Sequence, residues 1–144
     1  MVRKVLLTLV LLIGAYLGYD LSGSIDLQEP PGAAAGGELQ RVIAERRSGT
    51  QVQGAGTVVR VLSDDNDGSR HQRFILQIAS GESLLVAHNI DLAPRVAGLN
   101  VGDTVSFYGE YEWNDRGGVI HWTHDDPRGT HADGWVEHDG RRYR

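Results

Sequence analysis

The sequence predicts a mainly β domain, a five-stranded Greek-key barrel of the OB type, preceded by an N-terminal membrane or signal helix and a short amphipathic helix. Three observations carry this. Short β-branched or alternating runs recur from Val52 onward, separated by Gly, Asp and Asn turns. Three such runs precede a stretch with helical spacing and two follow it as a hairpin, which is the strand order of that barrel. Gly109, Gly117 and Gly118 fall where a tightly coiled sheet has to bend.

Arg3 and Lys4 precede an uncharged, mostly apolar run from Val5 to Tyr19. A positive flank followed by such a run is the signature of export, so residues 1–19 are expected to be a signal peptide or a membrane anchor. The run is shorter than the ~20 residues of a comfortable transmembrane helix. Tyr16 and Tyr19, however, stand where interfacial aromatics hold a retained helix. Ser22-Gly23-Ser24 is the best cleavage site, and a mediocre one. Either outcome delivers the domain outside the cytoplasm, periplasmic and tethered to the inner membrane, or secreted after cleavage. An uncleaved helix would make the membrane itself a partner.

Residues 20–37 hold Pro30, Pro31 and a Gly/Ala run, and read as a flexible linker before a domain at residues 38–144. Leu39, Val42 and Ile43 sit at i, i+3 and i+4, so Glu38 to Arg47 reads as a short amphipathic helix stopped by Gly49. Ala55 to Leu62 is the first strand, followed by a turn-rich loop over residues 63–70. His71 to Ala79 alternates Phe74, Leu76 and Ile78 on one face, and Ser83 to His88 is the third strand. Leu92, Val96 and Leu99 suggest a short irregular helix broken near Pro94. Thr104 to Trp113 and Gly118 to Thr123 form the last hairpin, about the turn Asn114 to Gly117. The tail beyond Pro127 keeps Trp135, Val136 and Tyr143, so it is expected to fold back and bury Trp135.

Charge narrows the function. Residues 50–144 carry nine basic and fourteen acidic side chains, which is the whole net charge of −5. That field opposes bulk nucleic acid, which needs its phosphates neutralised. The chain has no cysteine, which excludes disulfides, thiolate metal sites and a cysteine nucleophile.

Several long strings are unusual: Asp64 to Phe74, His88 to Arg95, Gly109 to Trp113 and His121 to Pro127. In them the chain resembles the small bacterial proteins grouped as domain of unknown function 3465. The likeness spans residues 38–144. It implies a small exported OB-like domain and carries over no catalytic residue. One departure matters for any metal. The family's pattern has a histidine where this chain has Asp125, so a ligand there has changed type or was never a ligand.

Two kinds of site compete. His71, Arg73, His88, Asn89, Trp113 and Trp122 lie on or beside the strands with which such barrels bind, and suit an oligosaccharide, a peptide or another planar group. The bland alternatives are core packing for Trp122 and loop pinning for Arg73 and Asn89. His88, His121, His124, Asp126 and His131 could instead gather a divalent transition metal such as zinc, and no motif requires any other cofactor. The bland alternative is that these histidines bridge backbone carbonyls. A binding or adaptor module of the cell envelope is thus the first expectation, with an envelope ligand or protein as partner. A metal-dependent, nuclease-like hydrolase centred on His88, His121, His124 and Asp126 is the second. The loop Asp64 to Gly68 fails the calcium-loop pattern, which needs a closing acidic residue. No Ser-His-Asp order and no phosphate-cradling glycine loop is present.

Overall fold

A computed structural model describes residues 31–144. The expected anchor at residues 1–19, and the first part of the expected linker, lie outside the described residues.

The first element, α1 (Pro31–Ala44), begins seven residues before Glu38. Residues 31–37 are therefore helical where a flexible linker was expected. Proline is favoured at a first helical position and the alanines that follow are the best helix formers, so propensity carries the helix across Gly36 and Gly37. Leu39 and Val42 are buried, with Ile43 packed beside them, as their spacing predicts. The stop comes before Gly49. Arg47 N–H donates to Val42 O and Arg46 N–H to Ile43 O, with Arg46 at φ 54°, which is a Schellman ending on a non-glycine residue.

Seven strands follow: β1 (Thr50–Val61), β2 (His71–Gln77), β3 (Ser83–Asn89), β4 (Thr104–Glu112), β5 (Val119–His121), β6 (Trp135–His138) and β7 (Arg141–Tyr143). The first five close in the order β1-β2-β3-β5-β4 and back to β1, with β3 and β5 parallel and the other pairs antiparallel. This is the predicted barrel. Its interior is filled by alternating residues, among them Val52, Phe74, Leu76, Leu84, Val86, Phe107, Tyr111 and Ile120.

Three local expectations are corrected. Residues 90–99 form turns, not a helix. Their carbonyls and amides are claimed from the barrel interior: Gln72 accepts from Val96 N and donates to Val96 O, and His88 holds Pro94 O. Tertiary bonds thus override the helical spacing. The fifth strand stops at His121, because Trp122 takes φ 53° and turns the chain. The tail does fold back, as β6 and β7, but Val136, His138 and Tyr143 are its buried residues. Trp135 is half-buried, lying against Tyr108 and beneath the Arg142 guanidinium. The short β5 pairs β4 over Glu110–Glu112 only, and β6 takes the rest of that edge over Val105–Tyr108.

Candidate functional site

The first predicted region is the outer face of β2 and β3, between the loop after β1 and the β4–β5 turn. A groove of about 260 Å3 lies there, lined by Leu62, Ile75 and Leu85 with Arg73, Asn114 and Arg116. Strand alternation explains the lining, since Phe74, Val86 and their like point inward and leave Arg73, Ile75 and Leu85 outside. Arg73 is fixed by donating from Nε to Ser63 O at 3.0 Å. Asn114 Oδ1 accepts from Arg116 N and Gly118 N, which shapes the turn that presents Arg116.

Of the predicted ligand residues, Arg73 alone lines this groove. His71 and Asn89 are register partners that organise neighbouring loops, His71 Nδ1 on Ser69 O and Asn89 Oδ1 on Asp91 N. Trp113 is exposed beneath the Arg46 guanidinium, 4.8 Å from its ring centre. Trp122, a ligand candidate with core packing as its alternative, neither lines the groove nor joins the core. It lines a separate cleft of about 370 Å3 with Leu92, Asp126, Pro127, Arg128 and Thr130.

His88 belongs inside the barrel and contacts no ligand face. Its Nε2–H donates to Pro94 O at 2.9 Å, which leaves Nδ1 to accept from the Thr123 hydroxyl at 2.8 Å. Those partners define a neutral ring. Burial lowers its pKa below the ordinary imidazole value, against the raising effect of the Pro94 carbonyl.

The predicted metal set does not converge. Asp126 spends its carboxylate on the loop it begins, accepting from Arg128 N, Thr130 N, Thr130 Oγ1 and His131 N at 2.6–3.1 Å. These donors, the Arg128 amide foremost, hold its pKa at about 2. His124 is buried and donates from Nδ1 to Asp125 O. His131 points both nitrogens at acceptors, Nδ1 at Ala132 O and Nε2 at the Glu110 carboxylate. Its burial opposes charge, yet the Ala132 carbonyl and Glu110 outweigh that and raise its pKa. The ring stacks on Trp122 at 4.0 Å and 16°. The hydrolase centred on His88, His121, His124 and Asp126 therefore has no support.

His121 differs from the other histidines. His71, His88, His124, His131 and His138 each engage a carbonyl or carboxylate through a ring nitrogen. His121 Nε2 is buried without a hydrogen-bond partner. Glu110 Oε1 and Glu112 Oε1 stand 3.7 Å from it. The three side chains share one outer face, since Glu110 is the register partner of His121 and Glu112 lies two residues further along β4. Sequence reasoning set neither Glu110 nor Glu112 beside His121. The last hairpin held the signal, because pairing symmetric about Asp115–Arg116 sets Glu110 opposite His121.

A closed OB-type barrel with one basic-rimmed groove and one carboxylate–imidazole cluster defines the class. The chain belongs to the family described as "Protein of unknown function (DUF3465)", whose profile matches residues 24–144. A search of curated proteins found no match.

Proposed function

We propose that this protein is a binding module acting outside the cytoplasm, and that it takes a small ligand with an anionic group beside an apolar part, such as a peptide carboxy-terminus. The groove carries this reading: Arg73 and Arg116 rim an apolar floor of Leu62, Ile75 and Leu85. It occupies the position at which barrels of this order bind ligands, across β2 and β3 between the first and last hairpin loops. Guanidinium recognises planar carboxylates through paired N–H donors, and the floor suits an adjoining aliphatic side chain. No aromatic ring lines the groove, which favours a peptide over stacked sugars. Export rests on the basic flank and apolar run of residues 3–19.

The test is a titration of isotopically labelled protein with hydrophobic tripeptides, carboxylate-ended or amidated, followed by NMR. Shifts at Ile75, Leu85 and Arg116 are expected with the free carboxylate alone. Arg116→Gln should weaken that binding at least tenfold and leave the fold intact, since that guanidinium has no hydrogen bond within the described residues. Equal shifts with the amidated peptide, or none with either, would sink the idea.

A further inference from the structure

We propose that Glu110, Glu112 and His121 form a binding site for one divalent transition-metal ion of the zinc class, on the outer wall of the barrel and apart from the groove. One ligand atom from each lies within 4.8 Å of the other two. The separations discriminate between a hydrogen-bonded cluster and a ligand set. At 3.7 Å, His121 Nε2 is too far from Glu110 Oε1 and Glu112 Oε1 to donate to either. Two ligand atoms on a tetrahedral zinc ion stand about 3.4 Å apart, given bonds near 2.1 Å. The observed gap is thus close to that left around an ion.

Three further observations point to a ligand. First, His121 Nε2 is buried and unpartnered beside two carboxylate oxygens. Second, Gln51, the register partner of Glu110 on β1, has both side-chain amide atoms buried and unpartnered. These three atoms are all the buried side-chain atoms without partners among the described residues, and they flank one glutamate. Third, Glu110 is already oriented. Its Oε2 is engaged by His131, which leaves Oε1 turned to His121, and His131 is itself fixed by the Ala132 carbonyl and the Trp122 ring. A hydrogen-bonded outer partner of this kind sets the direction of a ligating carboxylate. All three ligand residues stand at or next to paired strand positions, where the scaffold is rigid.

The donor set selects the ion. One imidazole and two carboxylates suit zinc, manganese, iron or nickel, whereas all-oxygen sites suit magnesium and calcium. Three protein ligands leave a fourth position for water or for a donor from a partner.

The experiment uses the full chain without a histidine tag, stripped with chelator, and zinc chloride as probe at pH 7.5. Competition with a chromophoric indicator should give one equivalent bound, and cobalt substitution should give visible absorption of a tetrahedral site. Glu112→Gln and His121→Gln should each weaken zinc binding at least tenfold, and zinc should raise the melting temperature of the native chain but not of these variants. His124→Ala should bind as the native chain does. Should His121→Gln fail to fold, the half-exposed Glu112 decides alone. No stoichiometric uptake, or uptake unchanged in Glu112→Gln, overturns the proposal.

Discussion

His88 and His131 show how one residue type is set to opposite ends by its neighbours. His88 is fully buried, with one carbonyl and one hydroxyl as partners. His88→Ala leaves Pro94 O and Thr123 unpaired around a cavity and is expected to cost about 2–4 kcal/mol in denaturant unfolding. Its folded pKa lies below the unfolded value of 6.5, so the unfolded chain binds the proton first. Its stabilisation is therefore complete above pH 6.5 and is lost as pH falls through the folded pKa. The variant should lack that acid-side slope. For His131 the sign reverses. Its raised pKa gives stability that is present below 6.5 and lost as pH rises through the folded value. Neither sign was legible in the sequence. The partners that set them, Pro94 and Thr123 for His88 and Glu110 and Ala132 for His131, are brought together only by the fold.

Among the elements, β5 is the shortest barrel strand and depends on one glycine. A β-carbon at Gly109 would meet Ile120 Cγ2 and Thr123 Cγ2 at 2.8 Å. Gly109→Ala should therefore destabilise by about 1–3 kcal/mol in thermal unfolding, by forcing β5 from β4. That glycine was legible as an interruption of an otherwise β-branched and aromatic face, and the close approach of the β5 backbone explains it. So was the apolar stripe of α1, where Leu39 and Val42 fell on the buried side. Element ends were less visible. The start of α1 lies in a Gly/Ala run without amphipathic pattern, and the turns at residues 90–99 follow from Gln72 and His88, which are distant in sequence.

For the whole molecule, the barrel order was readable because strand spacing and turn chemistry repeat along the chain. The groove was readable only as a place. Of its rim, Arg73 was anticipated, while Arg116 looked like one more turn residue. Closure puts β4 at the centre of the molecule, paired along one edge by β1 and along the other by β5 and β6 in succession. Its amides should therefore exchange with solvent only on global opening. Hydrogen exchange is expected to be slowest over Val105–Tyr111 and faster in residues 63–70 and 114–117. Fast exchange within β4 would count against a single cooperative barrel.

The β6–β7 hairpin has a consequence for how copies meet. A closed cylinder offers no strand margin, so the margin of the extended sheet is β7, three residues long. Arg141 and Arg142 lie on it, each guanidinium over an aromatic ring. Arg142 is paired with Glu137, so two molecules meeting through that stub would gain at most three residues of backbone pairing while bringing their Arg141 charges together, which disfavours polymerisation edge to edge.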